Sequence, residues 1–471
     1  MSTKPALKRA LGFRDLTLFY VVSGLSVRWT ATAAAAGPGT LLIWIVGLVG
    51  FFVPLAASVI ELSSRYPQEG GLYVWTREAF GDFSGFIAAW TYWVSNLPYF
   101  PGVLYFGAGS VLFAFGDRGQ GLAANATYYA AFAIACLAII TSLNIVGVNA
   151  GKWLNNIGAA GSIVPLATLI VLAAVSAGRF GSATHFSRAN LVPHLSLRNA
   201  IFWATIFFAF GGCEAGSFMG EEIKNPRRAI PRALLVGGTV LAAGYIAGTV
   251  ALLLALPSEA VGGPDGFVLG LQALCLRLGL ARFLAPLALL VGLNAVGGAA
   301  AFLSSTSRLP FVAGVDHYLP PVFGRIHQRF RTPWVAIGVY GMASMIIALL
   351  SQAGTTVRGA YAVLVSMSII AYFLPYLFLF ASMIRLQSRP APPEALQVPG
   401  GRHVAVALAA IGFASTALTI VLSVIPPNEE PHKALAVAKV LTSTAALIGA
   451  GMAVFASAWR KRKNRLSPTA L

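Results

Sequence analysis

Charged residues are scarce in this chain, and acidic residues are the scarcest. Of the 471 residues, 57% are hydrophobic, only 10% are charged and only 15 are Asp or Glu. Soluble globular domains carry about 25% charged residues. The composition therefore excludes a soluble globular protein and predicts a membrane protein with many spans.

Residues that hold metals or catalyse reactions are also few. The three cysteines, Cys136, Cys213 and Cys275, have no metal-ligand or redox spacing. The six histidines fall in predicted loops or near predicted membrane surfaces. The sequence contains no nucleotide-binding glycine loop and no nucleophile elbow. These features argue against an enzyme, and we expect no catalytic residues, no metal and no cofactor.

Long apolar runs are the main feature that the sequence does have. A run of about 20 apolar residues is long enough to cross the hydrocarbon core of a bilayer as a helix. The sequence predicts an all-α, polytopic membrane protein with twelve such spans, approximately at residues 16–36, 40–62, 83–115, 124–146, 154–177, 199–219, 233–256, 282–306, 333–352, 359–383, 402–425 and 437–459.

The basic residues predict how these spans are oriented. Most of the 33 Lys and Arg residues fall at the two termini and in the loops on one side of the predicted bundle. Loops rich in Lys and Arg stay in the cytoplasm, so both termini are expected there. The net charge of +18 is then a feature of topology. We expect the basic end of the chain to contact anionic lipid rather than nucleic acid.

Two of the predicted spans contain a break. The segment SGLS at residues 23–26 interrupts the first span, and Gly211-Gly212 interrupts the sixth. In lipid, backbone groups freed from a helix are tolerated only where protein or a water-filled cavity surrounds them. Two interrupted helices, each opening a five-helix half, indicate an inverted repeat with a binding site at the membrane midplane.

Four motifs carry a resemblance to a known family. They are AAAAGPGTLLIWIVG at 33–47, ELSSRYPQEGGLYVW at 61–75, FAFGGCEAGSFMGEEIKNPRRAIPRA at 208–233 and SRLPFVAGVDHYLPPVFGRIH at 307–327. Over roughly ten spans, the chain resembles the amino acid–polyamine–organocation (APC) superfamily of secondary transporters. The resemblance implies alternating access for amino acids or amines. It also implies a cytoplasmic tail, a ten-helix inverted-repeat core, two peripheral helices and a basic cytoplasmic tail, at residues 1–15, 16–383, 384–459 and 460–471.

The first break is predicted to bind the carboxylate of a substrate. Amide groups at the start of the following half-helix face the gap, and the helix dipole favours an anion there. The resembled family usually has Gly-Ser-Gly at this place, whereas this chain has SGLS. The alternative interpretation is that these small residues serve only tight helix packing.

The second break offers freed carbonyl groups to a substrate ammonium group. Phe208 aligns with the aromatic gate that the resembled family has over its substrate, with Phe207 and Phe210 as alternatives. Asn96 and Phe302 match positions of side-chain pocket contacts, as do Tyr92 and Trp93, and ordinary packing is the alternative for each. The expected substrate-binding residues are Ser23, Gly24, Leu25, Ser26, Phe208, Ala209, Phe210, Gly211, Asn96 and Phe302.

Two charged residues inside predicted spans are expected to serve coupling or gating. Glu214 follows the second break and is expected to line the same cavity, either as a reversible proton carrier or as an acceptor that holds the unwound backbone. Arg28 lies inside the first span, where an unpaired charge is costly. It has three interpretations: a pair with Glu214, an anchor for an acidic substrate side chain, or a replacement for a bound cation between the first and eighth helices.

Charged residues near the predicted cytoplasmic face are expected to form ion pairs. Glu61 is predicted to pair with Arg65 at the end of the second span. The loop that runs from Lys224 to Arg232, together with Glu221 and Glu222, is predicted to close the inner gate.

These observations predict a secondary active amino acid transporter, proton-coupled or exchanging, in a bacterial inner membrane. Sodium is the alternative coupling ion. A polyamine or amine transporter is the second interpretation, since only Glu214 and Glu61 supply acidic groups near the membrane. A non-transporting sensor is the third. The sequence gives no prediction of the exact substrate or of the oligomeric state.

Overall fold

The described part of the chain is built from helices. The structure is a computed structural model, and it describes residues 7–193, 206–261, 265–351, 357–425 and 433–466. Within these ranges there is no strand, only an isolated backbone bridge between Leu11 and Ile223. Eight helical stretches are long and apolar enough to cross a membrane: Thr40–Arg65, Asp82–Gln120, Ala126–Val146, Gly151–Phe180, Pro226–Ala255, Ala281–Val315, Trp334–Ser351 and Gly401–Val424.

The bounds of the individual helices follow the apolar runs of the sequence. A helix satisfies its own backbone hydrogen bonds, which lipid cannot do. The α-helices are Phe13–Gly24, Arg28–Ala35, Thr40–Gly47, Val53–Arg65, Leu72–Phe80, Asp82–Ser95, Tyr99–Leu112, Gly116–Gln120, Ala126–Val146, Val148–Phe180, Arg188–Leu191, Pro226–Ala255, Gly266–Arg277, Leu284–Thr306, Arg308–Val315, Trp334–Ser351, Val357–Leu386, Gly401–Val424 and Lys433–Leu466.

The first predicted span is interrupted at the segment that the sequence singled out. One helix ends at Gly24 and the next begins at Arg28. The residue after the first helix, Leu25, has φ −82° and ψ 81°, outside the helical region. The two pieces have 12 and 8 residues, so neither crosses a membrane alone.

The sixth predicted span is described only from residue 206 onwards. Residues 206–209 are helical, and the helix ends before the glycine pair. The chain continues as a 3₁₀ helix, Ala215–Glu222, rather than as an α-helix. Residues 199–205 of this predicted span lie outside the described residues.

The third predicted span differs from the prediction of one continuous helix over 83–115. It is divided into Asp82–Ser95 and Tyr99–Leu112 by a turn at residues 96–98. Pro98 has no backbone N–H, and the residue before a proline is pushed out of the α region. The break puts Asn96 at a helix end, with its Nδ2 donating to the carbonyl of Tyr92 at 2.8 Å.

Two long helices pack closely where glycines face each other. A Cβ built on Gly158 would lie 2.7 Å from the Cα of Gly297 and 2.7 Å from a methyl group of Val22. Small residues of this kind let transmembrane helices approach backbone to backbone. The contact fixes Val148–Phe180 and Leu284–Thr306 against the first helix, and so positions the first interruption.

Candidate functional site

The first interruption is held by a tyrosine from another helix. The backbone N–H of Ser26 donates to the hydroxyl of Tyr245 at 3.3 Å. That hydroxyl lies within donor range of the Gly24 carbonyl and, at 3.2 Å, of the Ala209 carbonyl. A hydroxyl has a single proton, so it donates to one of these carbonyls at a time. Tyr245 therefore links both interruptions, and no sequence signal identified it.

The second interruption requires glycine at its centre. Gly212 has φ +102°, a backbone conformation that L side chains rarely adopt. A Cβ there would lie 2.8 Å from Cζ of Phe302. The freed N–H of Gly212 donates to Glu214 Oε2 at 3.2 Å and to the hydroxyl of Tyr376 at 3.1 Å. The break is thus closed by side chains instead of by the helix.

Glu214 is fully buried at the centre of three tyrosines. Its Oε1 accepts a hydrogen bond from Tyr92, one from Tyr376 at 2.9 Å and one from Tyr372 at 3.4 Å. Tyr92 was expected as a pocket residue. Tyr372 and Tyr376 were not, although their spacing of four residues on a predicted helix puts them on one face. The carboxyl group consequently joins the second interruption to two other helices.

One small cavity lies between the two interruptions. It is lined by eight of the expected binding residues and by three others, which are Ser23, Gly24, Ser26, Asn96, Phe208, Ala209, Gly211 and Phe302, with Trp29, Tyr99 and Tyr372. Five separate parts of the sequence therefore meet at one place.

Two expected binding residues have side chains elsewhere. The Phe210 ring packs edge-on against Trp44, with centroids 5.2 Å apart, and the Leu25 side chain packs at Gly244. Neither residue lines the cavity. Both residues lie where a helix ends, and the direction of a side chain at such a point cannot be read from a sequence. Glu214 also lies outside the lining, because Tyr372 stands between it and the cavity.

The cavity is closed by aromatic rings. Phe208 meets Trp29 edge-on with centroids 5.5 Å apart, and meets Tyr372 at 4.8 Å. Phe302 meets Tyr99 at 4.9 Å. The remaining volume is about 20 Å³, roughly enough for one water molecule. Any larger molecule enters only if these rings or their helices move.

Arg28 is buried next to the cavity, with only 3% of its surface exposed. Its guanidinium carbon lies 4.4 Å from the ring centroid of Trp29 and 5.5 Å from that of Tyr99. None of the ion pairs among the described residues includes Arg28. The suggested pair with Glu214 is therefore absent from this structure, where tyrosines take that carboxylate instead.

A second buried charge cluster lies at the end of the bundle that is predicted to face the cytoplasm. One guanidinium nitrogen of Arg308 donates to both oxygens of Glu222 at 2.8 Å, and Arg308 Nε lies 3.8 Å from Glu69. All three side chains are at most 4% exposed. Glu222 was expected in a closing ion pair, but its partner Arg308 and the neighbouring Glu69 were not identified. The predicted pair of Glu61 and Arg65 is present at 2.5 Å.

Burial raises the pKa of the Glu69 carboxyl well above its ordinary value, and the nearby charge of Glu222 raises it further. Arg308 and the N–H of Glu221, which donates to Glu69 at 2.8 Å, act in the opposite direction. Two carboxyl groups share one guanidinium, so the cluster favours the protonated form of Glu69.

Comparison with known proteins gives a consistent picture. The model of a family described as amino acid permease matches residues 11–453. An uncharacterized transporter of Legionella pneumophila is 27% identical over 90% of this chain and 92% of its own length. A probable agmatine/putrescine antiporter of Lactococcus lactis is 24% identical over 84% of each chain. A serine/threonine exchanger of Bacillus subtilis is 25% identical over 70% of this chain and 73% of its own.

The match spans nearly the whole chain, and the matched relatives are named as transporters. The apolar helices independently indicate an integral, multi-pass membrane protein. The chain therefore belongs to the amino acid permease family of the APC superfamily and is a transporter of amino acids or amines rather than an enzyme.

Proposed function

We propose that this protein is a secondary active transporter of amino acids that works by alternating access. The observation that carries the proposal is the meeting of two helix interruptions at one buried cavity. Backbone groups freed inside a membrane protein are costly unless they serve a ligand or are held by side chains. Here Tyr245, Tyr376 and Glu214 hold some of them, and the others border the cavity.

The two ends of a zwitterion fit the two interruptions. The Arg28–Ala35 helix starts at the cavity, and the amides and dipole at its start suit the α-carboxylate. The carbonyl groups near Ala209 and Gly211 suit the ammonium group, because a helix end leaves its last carbonyls without helical partners. Phe208 lies between these regions and is the proposed aromatic gate.

Glu214 is the proposed coupling residue, with two interpretations. It can carry a proton through the transport cycle, which makes the protein a proton symporter. Alternatively, its carboxylate is a gating acceptor for Tyr92, Tyr372 and Tyr376, and the protein is an exchanger. The cluster of Glu69, Glu222 and Arg308 is the proposed inner gate in both cases.

The alternative substrate class is an amine. The similarity to a probable agmatine/putrescine antiporter favours this alternative. Against it, a diamine needs an acidic group for each ammonium group, and none of the residues that line the cavity is acidic.

We further propose twelve membrane spans with both termini in the cytoplasm of a bacterial inner membrane. Spans one to ten form an inverted-repeat core over residues 16–383, residues 384–459 lie outside it, and 1–15 and 460–471 are tails. The break in each of the first and sixth spans supports the repeat, since such breaks open the two halves of inverted-repeat transporters.

The test is uptake by the purified full-length chain in proteoliposomes. Each radiolabelled amino acid, agmatine and putrescine is supplied with a proton gradient, a sodium gradient or an internal counter-substrate. Amino acid uptake above that of protein-free vesicles is the expected result. Uptake of the amines with none of any amino acid would replace the proposal with the amine alternative.

A further inference from the structure

The position of Arg28 conflicts with elementary electrostatics. It is the first residue of the Arg28–Ala35 helix. The start of a helix carries partial positive charge and disfavours a cation. The side chain is also 97% removed from solvent, and guanidinium groups do not lose their proton in proteins. The positive charge of Arg28 is therefore buried at the helix end that itself carries partial positive charge.

No acidic side chain of the described chain balances this charge. Glu214 is bound by tyrosines, Glu61 is paired with Arg65, and Glu222 is paired with Arg308. Among the undescribed residues, Asp and Glu occur only as Glu429 and Glu430, in the segment 426–432 between the eleventh and twelfth predicted spans. Arg28 Nε is buried without a hydrogen-bond partner, and the guanidinium instead lies over two aromatic rings. A ring face attracts a cation, but more weakly than a carboxylate does.

Both rings belong to the wall of the cavity. Trp29 and Tyr99 line it, so one aromatic layer separates the guanidinium from the space between the interruptions. Tyr99 also contacts Phe302, one of the residues expected at the substrate's side chain. The guanidinium thus lies against two rings of the cavity wall, one of which also contacts Phe302.

We propose that Arg28 binds the side-chain carboxylate of an acidic amino acid, so that the transported substrate is a glutamate- or aspartate-like molecule. This inference rests on the proposed function and names its substrate class. Trp29 and Tyr99 shift when the cavity opens, and the guanidinium then donates to both carboxylate oxygens. The same charge repels cationic amino acids and diamines.

The experiment compares acidic amino acids with their amides. Uptake of glutamate, glutamine, aspartate and asparagine is measured for the wild type, Arg28→Gln and Arg28→Lys in proteoliposomes. The readout is the ratio of glutamate to glutamine uptake in one preparation, which does not depend on the fraction of folded protein. Arg118→Gln is the matched control, because it makes the same change at an exposed residue.

We expect the wild type to prefer glutamate or aspartate over the amide. Arg28→Gln should lower that ratio by about 30-fold or more. Removing one partner of a buried charge pair usually weakens binding by at least a few tens of fold. Arg28→Lys should lower it less, because lysine keeps the charge and loses the two-pronged geometry. Arg118→Gln should leave the ratio unchanged.

Several outcomes overturn the inference, and they are distinct from failure of the proposed function. A wild type that transports neutral amino acids but not acidic ones contradicts the inference and leaves the transporter intact. An unchanged ratio in Arg28→Lys and Arg28→Gln also contradicts it. Uptake that depends on external chloride, with glutamate and glutamine affected equally by Arg28→Gln, assigns Arg28 to an inorganic anion. No uptake of any amino acid would defeat the proposed function itself.

Discussion

At the scale of single residues, tyrosine hydroxyls supply many of the hydrogen bonds in the candidate site. Tyr245 serves the first interruption, while Tyr92, Tyr372 and Tyr376 serve Glu214 next to the second. A tyrosine combines an apolar ring, which a buried helix face accepts, with one polar group at its tip. These residues were mostly overlooked in the sequence, because a tyrosine in an apolar run has the same appearance whether it packs or bonds.

Replacing Tyr245 with phenylalanine should destabilise the protein and impair transport. The change leaves the Ser26 N–H and a carbonyl acceptor without their side-chain partner, at an expected cost of about 1–3 kcal/mol. Thermal unfolding in detergent and uptake in vesicles measure the two effects. Tyr128→Phe is the control, since its hydroxyl donates to the Ala108 carbonyl at 3.0 Å away from the interruptions. Equal transport losses in both variants would speak against a special role for Tyr245.

Replacing Glu214 with glutamine separates its two proposed roles. If the carboxyl group carries a proton, the variant should lose the dependence of uptake on a pH gradient and should retain exchange of labelled for unlabelled substrate. If it is a gating acceptor, uptake and exchange should fall together. Glu78→Gln is the control at a partly exposed ion pair with Arg389. Full pH-driven uptake by Glu214→Gln would remove the proton proposal.

At the scale of structural elements, the proposed inner gate is assembled from the loop after the Val53–Arg65 helix, the 3₁₀ helix Ala215–Glu222 and the Arg308–Val315 helix. The loop is also bound to the 3₁₀ helix through the Gly70 N–H, which donates to the Phe218 carbonyl at 2.9 Å. Three elements that are distant in sequence thus close around one guanidinium. Opening this end requires the Glu69–Arg308–Glu222 cluster to separate.

The closed gate should be favoured by a low pH on its own side. Glu69 faces Glu222, Glu221 and Arg308, and its pKa is raised in the closed cluster. Because the pKa of Glu69 is raised in the closed cluster, the protonated carboxyl stabilises the closed gate. This contribution is lost as pH rises through the raised pKa. We therefore expect the gate to open more readily as pH rises above the ordinary range of a glutamate.

The measurement is the reaction of a cysteine at Ser304, beside Arg308, with a water-soluble maleimide across a range of pH. The native cysteines are first replaced. Labelling, corrected for the thiolate fraction of an exposed control cysteine, should rise with pH in the wild-type background. It should become nearly independent of pH in Glu69→Gln, while Glu78→Gln should behave as wild type. A steep pH dependence that survives in Glu69→Gln would assign the proton to another group.

At the scale of the whole molecule, close backbone contacts between helices position the first interruption. Gly158 and Gly297 meet beside Val22 of the first helix. A tight bundle of this kind has no hydrophobic driving force in lipid and depends on close packing. The site can therefore be disturbed from a residue that does not line it.

Replacing Gly158 with alanine should force this pair of helices apart. The added methyl group would meet the backbone of Gly297, which cannot rotate away, so a loss of about 1–3 kcal/mol in stability is expected. Gly178→Ala is the matched control in the same helix, because a Cβ there meets no atom within 4 Å. The melting temperature and the uptake rate of the two variants test this. A melting temperature of Gly158→Ala equal to that of Gly178→Ala would contradict the packing role.

The sequence by itself determined which runs are apolar enough to cross a membrane and where the first and sixth predicted spans break. Both follow from local chemistry, since lipid demands about 20 apolar residues per helix, and since Gly211-Gly212 and SGLS cannot sustain one there. It also identified eight residues that line one cavity, from the two breaks and from the resemblance to the family.

Only the tertiary structure decided which charges find partners. Glu214 meets tyrosines instead of Arg28, Glu222 meets Arg308, and Arg28 is left between two rings. Leu25 and Phe210 likewise turn away from the cavity. Which partner a charge finds depends on distances between residues that are far apart in the chain. In a medium of low dielectric constant the interaction energy of a charge is large and is set by those distances.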